Sequence, residues 1–285
     1  MNRITAYIRQ SLQESYPQEE IKALSMLICC DMLGLDALDI YMGKDIILSE
    51  CKQRELENII FRLQKNEPIQ YIRGFAEFSG RNFKVASSVL IPRPDTEVLA
   101  EQAIGYIKTL GECRVLDLCA GSGCIGLAVA AQVPQARVVL GEWSDGALKI
   151  CRQNIRRNGL TARVVPMQAD AREKPEKSLG EFQCIVSNPP YIPRADIETL
   201  DTSVKDYEPH LALDGGEDGL DFYRSISEKW KEALAPGGRL YFEVGIGQAD
   251  NVLRIMRTQG FGDIQVVKDH HDIPRVVFGT LCTEL

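Results

Sequence analysis

The sequence predicts an α/β protein: a mainly parallel seven-stranded sheet with helices on both faces and an antiparallel hairpin at one edge, preceded by a small helical domain. Three observations support this. Apolar residues recur at helical spacing through the first 65 residues, strand-like and helix-like segments alternate from Arg114 onwards, and the last two strand-like segments have no helix between them. Alternating strands and helices are typical of a parallel sheet covered on both faces.

Length, charge and cysteine content limit the class of protein. The 285 residues favour one large domain plus a small one. A net charge of −7 weakens a nucleic-acid-binding hypothesis and suits a basic protein partner better. Nine irregularly spaced cysteines are typical of reduced thiols in the cytoplasm. The N-terminal segment MNRITAYIRQSLQES has no uninterrupted apolar core and no run of eighteen apolar residues occurs, so we expect neither a signal peptide nor a membrane span.

The first 66 residues are predicted to form helices. Pro17 suits a first helical turn, Gly34 suits a helix end, and residues 66–68 (Asn-Glu-Pro) break the pattern. We therefore expect a helical domain at 1–66, a linker with a β-hairpin at 67–95, and the large domain at 96–285. The helical stripes consist of Ile4, Tyr7, Ile8 and Leu12; Ile21, Leu24, Leu27, Ile28 and Met32; and Leu56, Ile59, Ile60 and Leu63.

The linker contains two aromatic-rich runs on either side of a polar turn. Residues 70–78 and 83–85 flank Ser-Gly-Arg-Asn at 79–82, which predicts a hairpin. Asp95 or Thr96 is then expected to cap a helix. In the large domain, helices are expected at 123–132, 145–158, 218–234 and 248–259, and strands at 114–118, 137–142, 163–168, 182–187, 238–244, 263–268 and 275–280.

A small-residue turn follows the first strand of the large domain, in the run Val115–Gly126. Such a turn lets the backbone approach a ligand at the carboxyl edge of the sheet, where open α/β folds bind cofactors. A Rossmann dehydrogenase or a structural turn has similar residues, but the glycines do not follow the dinucleotide pattern. Asp117, Glu142 and Asp170 each lie at or just after a strand end, and three carboxylates on one edge favour a cationic nucleoside.

A proline-rich turn, Ser187–Pro193, follows the fourth strand. It is rigid because prolines continue neither a strand nor a helix, and a purely structural loop is the alternative interpretation. The Asn188 side-chain oxygen and the Pro189 carbonyl can each accept one N–H of an amide or arylamine, which fixes a poor nucleophile in line with a methyl donor. Tyr191 offers a flat face for the planar group.

With these turns the chain resembles a class I methyltransferase of the amino-methylating group. Further segments narrow the resemblance to the HemK/PrmC family, which methylates the glutamine N5 of the Gly-Gly-Gln motif in class-1 peptide chain release factors. It covers the chain from about residue 66 to the end, and the N-terminal helices fit the family's small domain. The narrowing segments are Pro68–Gly74, Leu90–Glu97, Glu208–Pro209, Leu213–Leu220 and Arg275–Val277.

The resemblance implies a class I S-adenosylmethionine-dependent fold, S-adenosyl-L-methionine as the methyl donor, and S-adenosyl-L-homocysteine as the product. It also implies release factors 1 and 2 as substrates of a cytoplasmic monomer, a helical domain that recognises the substrate, and no contact with nucleic acid or membrane. Cys119-Ala120 replaces the usual Gly-Thr, Glu142 stands where Asp is common, and Ala171 lacks an aromatic found in some members. The implied catalytic residues are Asn188, Pro189 and Tyr191; the substrate-binding residues are Asn188, Pro189, Pro190 and Tyr191; the cofactor-binding residues are Asp117, Cys119, Ala120, Gly121, Ser122, Gly123, Glu142, Asp170, Ala171 and Asn188.

Two other functions remain open from the residues alone. A nucleic-acid amino methyltransferase would share the Asn-Pro-Pro-Tyr turn but would need a flipped base and a basic module. A cofactor-binding scaffold without activity is the second. His210 and the run His270-His271-Asp272 lack metal-site spacing, so no metal is expected. We expect Trp143 and Trp230 to serve packing.

Overall fold

The computed structural model describes residues 2–282. Two compact units make up the chain: Met1–Gly74 with Asp201–Tyr207, and Phe75–Leu200 with Glu208–Leu285. The first unit therefore includes the segment after Asn66 that was predicted to belong to a linker. Among residues 2–282, no helix has the length and apolar character that crossing a membrane requires.

The first unit is helical, and local sequence explains the helix ends. The Asn2 side chain accepts the Thr5 N–H at 2.8 Å, which caps the first helix. Gly34 has a φ of +62° after the second helix. The apolar stripes pack together into one buried core. The helices are α1 (Arg3–Leu12), α2 (Gln18–Met26, continued by a π-helical segment Leu27–Met32), α3 (Ala37–Tyr41), α4 (Glu50–Gln64) and α5 (Ile69–Arg73), with a one-turn helix at Thr202–Lys205.

The hairpin of the linker is shorter than predicted. β1 (Phe75–Phe78) pairs antiparallel with β2 (Arg81–Lys84), whereas Gln70–Arg73, expected in the first strand, belong to α5. Gly74 ends that helix in the left-handed conformation, with a φ of +81°. The Pro68 position starts a helix and Gly74 stops it, so the strand begins only at Phe75.

The second unit contains the predicted seven-stranded sheet, in the order β5-β4-β3-β6-β7-β9-β8. Its first five strands run parallel, and β9 pairs antiparallel with both β7 and β8. The mixed sheet with an antiparallel edge is therefore confirmed. The strands are β3 (Cys113–Leu118), β4 (Ala136–Glu142), β5 (Val164–Gln168), β6 (Phe182–Ser187), β7 (Leu234–Glu243), β8 (Phe261–Lys268) and β9 (Pro274–Leu281).

Helices cover both faces of this sheet because successive residues of each strand point to opposite sides. Val115 packs into the core on one face and Leu116 into the core on the other. The helix expected at 218–234 is shorter, since its end tightens into a 3₁₀ segment, Trp230–Ala233. The helices are α6 (Thr96–Ile107), α7 (Cys124–Gln132), α8 (Asp145–Arg157), α9 (Asp221–Lys229) and α10 (Ala249–Thr258).

Asp95 stands at the N-cap of α6, but its side chain makes no capping hydrogen bond. The carboxylate instead pairs with the Arg275 guanidinium at 2.7 Å. The predicted cap position is therefore confirmed, but the side-chain capping bond is absent because an arginine of β9 pairs with the carboxylate. Thr96 is the buried first residue of the helix.

Candidate active site

A cavity opens at the carboxyl ends of β3, β4, β5 and β6, within the second unit. The empty volume at this opening is about 1080 Å³, which includes space that is open to solvent. The edge of a parallel sheet is where α/β folds place their ligands. The lining includes Ser88–Leu90, Pro92, Arg93, Thr96, Cys119–Ser122, Cys124, Ile125, Glu142–Ser144, Ala147, Ala169–Arg172, Asn188, Pro190, Pro209, Leu211, Ala212 and Phe222.

The turn after β3 brings backbone to the cavity. Gly121 and Gly123 have φ values of +56° and +80°, which glycine adopts without steric cost. Cys119 also has a positive φ, +63°, although a side chain disfavours this region. Cys119, Ala120, Gly121 and Ser122 line the cavity, whereas Gly123 does not and instead packs against the Leu140 and Leu127 side chains.

Glu142, at the end of β4, holds this turn in place. Its Oε2 accepts the Gly121 N–H at 2.8 Å, and its Oε1 accepts the Ser144 N–H at 2.8 Å. Burial raises the pKa of the carboxyl, and these N–H donors oppose the shift. Each carboxylate oxygen has a further lone pair, so Glu142 can still accept hydrogen bonds from a ligand in the cavity.

Asp117 lies beneath the turn and does not line the cavity. The side chain is fully buried, and its Oδ2 accepts the Gly126 N–H at 2.8 Å from the start of α7. Burial raises its pKa to about 7. The structure therefore places Asp117 where it ties β3 to α7, and not where a ligand would touch it.

Asp170 and Ala171 follow β5 and both line the cavity. The Asp170 carboxylate is bound in a bidentate pair by Arg172, at 3.0 Å to each nitrogen. That arginine lowers the pKa of Asp170. Asp170 is therefore an ionised group at this edge, already partnered on one side.

The proline-rich turn leaves the sheet beside the glycine-rich turn. Leu118 and Ser187 are paired residues of β3 and β6, and the Ser187 hydroxyl donates to the Leu118 carbonyl at 2.7 Å. Asn188 and Pro190 line the cavity, whereas Pro189 and Tyr191 do not. The Asn188 Nδ2 donates to the Thr96 hydroxyl at 3.3 Å. The structure thus brings the predicted Asn188 to the same cavity as the predicted cofactor turn.

Tyr191 points away from the cavity, towards the end of β7. Its hydroxyl lies 3.4 Å from Glu243 Oε1, and its backbone carbonyl accepts the Gln248 side-chain N–H at 2.8 Å. Burial raises the pKa of the Tyr191 phenol, with the Glu243 carboxyl adding to the shift. The loop at Gly215 packs directly against it: a Cβ on Gly215 would lie 2.7 Å from Tyr191 Cα.

Sequence reasoning missed several residues that the structure places at the site. Trp143, expected to pack, is 49% exposed and lines the cavity, while Trp230 is buried as expected. The position directly after a strand-end carboxylate was the available signal for Trp143. Arg93, Thr96 and Phe222 also line the cavity. Arg93 and Thr96 lie in the Leu90–Glu97 segment that supports the family resemblance, but no local pattern assigned any of the three to the site, because their segments are distant from the two turns in sequence.

The histidine run lies outside this site, in the turn between β8 and β9. There the Asp269 carboxylate accepts the His271 N–H and pairs with Arg275. Within residues 2–282, no group of three or more His, Cys, Asp or Glu side chains has an arrangement suited to a metal ion.

The chain is similar to known proteins along nearly its whole length. A family profile described as "PrmC N-terminal domain" matches residues 4–74, and one described as "Methyltransferase small domain" matches residues 78–216. A release factor glutamine methyltransferase of Bacteroides thetaiotaomicron is 53% identical over 270 residues, which cover 94% of this chain and 96% of that protein. One from Geobacter sulfurreducens is 45% identical over 87% of this chain and 86% of its own length.

Solved structures share the fold at low identity. A methyltransferase from Pyrococcus furiosus superposes with a TM-score of 0.53 at 17% identity, over 80% of this chain and 100% of its own. The catalytic domain of hMettl16, in complex with MAT2A 3′UTR hairpin 6, gives a TM-score of 0.55 at 14% identity, over 83% of this chain and 84% of its own. At these identities the likeness concerns the fold alone.

Proposed function

Because the chain belongs to the release factor glutamine methyltransferase family, we propose that it transfers a methyl group from S-adenosyl-L-methionine to a release factor. The acceptor is the side-chain N5 of the glutamine in the Gly-Gly-Gln motif. One observation carries the proposal. The glycine-rich turn directly follows Leu118, Asn188 directly follows Ser187, these two residues are paired on adjacent strands, and both turns contribute to the lining of the same cavity. A donor on the first turn and an acceptor on the second would therefore meet.

The residues of the cavity fit S-adenosyl-L-methionine. Glu142 keeps acceptor capacity that suits ribose hydroxyls, and Asp170, although paired with Arg172, keeps acceptor lone pairs beside Ala171 that suit an adenine amino group. The half-exposed Trp143 ring offers an apolar face for an adenine. In this assignment the backbone of Cys119–Ser122 binds the ligand. Asp117 and Gly123 lie outside the cavity lining and hold the turn in position.

When bound, S-adenosyl-L-methionine supplies an electrophilic methyl group on a sulfonium. Asn188, which lines the cavity, supplies an acceptor for one N–H of the glutamine carboxamide. The other is assigned to the backbone carbonyl of Pro189, the next residue of the turn, although Pro189 is not part of the cavity lining. Two such hydrogen bonds orient the nitrogen and stabilise the positive charge that develops on it. Pro190 stiffens the turn, and Tyr191 anchors it to the sheet through Glu243. No strong base is required, because the methylated nitrogen becomes acidic and then loses its proton.

Partners and setting follow from charge and from the relatives. A net charge of −7 favours a basic protein substrate over a phosphate backbone. We propose release factors 1 and 2 as substrates, no direct nucleic-acid contact, a monomer, and a cytoplasmic location. We assign substrate recognition to the helical unit, which exposes apolar side chains at Leu38, Tyr41, Met42 and Ile47.

The test is mass spectrometry of a release factor incubated with the protein and S-adenosyl-L-methionine. The proposal predicts one added methyl group on the Gly-Gly-Gln peptide, and none on a release factor whose motif glutamine is changed to glutamate. Single-stranded DNA and RNA offered in parallel should remain unmodified. Methylation of the nucleic acid, with none on the release factor, would favour the base-methylating alternative.

A further inference from the structure

The side-chain amide of Asn188 has two different ends, and only one serves the proposed reaction. Its oxygen can accept an N–H of the substrate carboxamide, whereas its NH₂ would face another NH₂ and repel it. Since the two ends have nearly the same shape, packing alone does not choose between them. Something that contacts Asn188 must fix which end faces the cavity.

Thr96 is the residue that contacts the other end. It is 2% exposed, and its hydroxyl lies 3.3 Å from Asn188 Nδ2. A threonine hydroxyl carries one proton and accepts through its lone pairs. It accepts from an amide NH₂ only when its own proton is directed elsewhere. Glu243 provides that second direction: burial raises the pKa of this neighbouring carboxyl and the Thr96 side chain opposes the shift, so the carboxylate is an acceptor available to the Thr96 hydroxyl.

We propose that Thr96 and Glu243 are positioning residues that set the orientation of the Asn188 amide. In this arrangement the Thr96 hydroxyl donates a hydrogen bond to the Glu243 carboxylate, the Thr96 oxygen therefore accepts from Asn188 Nδ2, and Asn188 Oδ1 is left facing the substrate. This inference rests on the proposed function, since it assigns the residues that prepare Asn188 for it.

The burial of Glu243 supports this role. The residue is 4% exposed, and its Oε2 makes no hydrogen bond to any described residue. A buried carboxylate with an unpaired oxygen is costly, which suits a functional position better than a purely structural one. The titratable and charged groups that face it come from five neighbouring segments: Asp95 before α6, Cys124 of α7, Tyr191 of the proline-rich turn, Tyr223 of α9 and Arg275 of β9.

The arrangement has a consequence for pH. Burial raises the pKa of Glu243 to about 7, against the opposing effects of Thr96, Arg275 and Tyr191. Once protonated, Glu243 can donate a hydrogen bond to the Thr96 oxygen. The Thr96 hydroxyl can then donate its own hydrogen bond to Asn188 Oδ1. The amide would turn its NH₂ to the cavity. Activity should therefore be present above about pH 7 and fall as the pH drops through this range.

Thr96→Val and Thr96→Ser form the matched test pair, because valine keeps the shape and serine keeps the hydroxyl. We expect Thr96→Val to lower kcat/KM for the release factor on the order of 10- to 100-fold, with cofactor Kd within about twofold of wild type. Thr96→Ser should restore most of that loss. Between about pH 6 and 8, the serine variant should keep the acid limb of the profile that the valine variant loses.

Three results would overturn the inference: a Thr96→Val enzyme within about threefold of wild type, a serine variant as impaired as the valine variant, or identical pH profiles of the two. If circular dichroism shows that Thr96→Val does not fold, Glu243→Gln replaces it, since its NH₂ can donate to Thr96 at every pH. That variant should turn over slowly, and its pH profile should lack the acid limb. Turnover at the wild-type rate would contradict the positioning role of Glu243. An inactive wild type would instead contradict the proposed function, and the inference with it.

Discussion

Two turns meet at the active-site edge of the sheet, and they are held by different means. The glycine-rich turn after β3 is fixed by backbone N–H groups that donate to Glu142 and Asp117. The proline-rich turn after β6 is fixed by side chains from distant segments, among them Gln248 and Thr96. The first is therefore built largely from nearby sequence, and the second depends on elements that follow or precede it by many residues.

The difference bears on what each turn can tolerate. Backbone donors held by carboxylates leave the side chains at positions 119 and 120 free to vary, which is consistent with Cys119-Ala120 there, whereas Gly121 and Gly123 are constrained by their positive φ. The second turn presents a side chain to the reacting atoms, so its orientation matters as well as its place. We therefore expect changes at the second turn to affect turnover, and changes at the first to affect cofactor affinity.

The largest effect is expected from Asn188→Ala. This change removes an acceptor that the proposal places on the reacting nitrogen, so kcat/KM should fall on the order of 100-fold or more. Because the backbone of the first turn is untouched, cofactor Kd should change little. Transfer of labelled methyl to a release factor measures the first quantity, and calorimetric titration with the cofactor measures the second.

Gly215→Ala should damage the second turn through the backbone. The added Cβ would lie 2.7 Å from Tyr191 Cα and 2.8 Å from its carbonyl carbon, and backbone atoms cannot move aside as a side-chain end can. We expect unfolding free energy to fall by about 1–3 kcal/mol, together with roughly tenfold slower turnover. Gly111→Ala is the control, since its Cβ would meet no atom within 4 Å. Equal denaturation midpoints for the two variants would contradict the close packing.

Glu142→Gln tests the first turn. Glutamine keeps one acceptor oxygen, so it cannot hold both Gly121 and Ser144 while also accepting from a ligand. We expect cofactor Kd to rise about tenfold, or ~1.4 kcal/mol, with kcat at saturating cofactor nearly unchanged. Quenching of Trp143 fluorescence on titration gives the Kd, with the buried Trp230 as a constant background. A drop in kcat with unchanged Kd would reverse the assignment of the two turns.

Asp117→Asn should have the smallest effect, seen in the pH dependence of stability. Burial raises the pKa of Asp117 to about 7, so the folded protein retains a proton that the unfolded chain releases above about pH 4. This group therefore makes stability fall as the pH rises from about 4 to 7, and no further above that. Asparagine should reduce that slope by up to about 1.4 kcal/mol per pH unit, leaving the similar contribution of Glu243. Urea unfolding at pH 5, 6, 7 and 8 measures it, and an unchanged slope would show that Asp117 is ionised in the fold.

The sequence predicted the sheet and the two turns because their signals are local. Alternating strands and helices, glycines after β3 and prolines after β6 all lie within short windows. It did not predict that Gln70–Arg73 are helical, because their aromatic and β-branched residues suit a strand equally well. Thr96 and Asn188 are 92 residues apart in sequence, and no periodicity reveals a contact between them. The prediction that Trp143 serves packing is wrong, because a tryptophan at a strand end is compatible with contact to either the core or a ligand.

Methyl transfer requires the two turns to face one another across a bound substrate. A crystal structure with S-adenosyl-L-homocysteine and a Gly-Gly-Gln peptide tests this directly. It should place the glutamine nitrogen about 2.6–3.2 Å from Asn188 Oδ1 and on the side of the sulfur from which the methyl group departs. A glutamine side chain bound elsewhere, or an Asn188 too far from the sulfur to leave room for an amide between them, would contradict it.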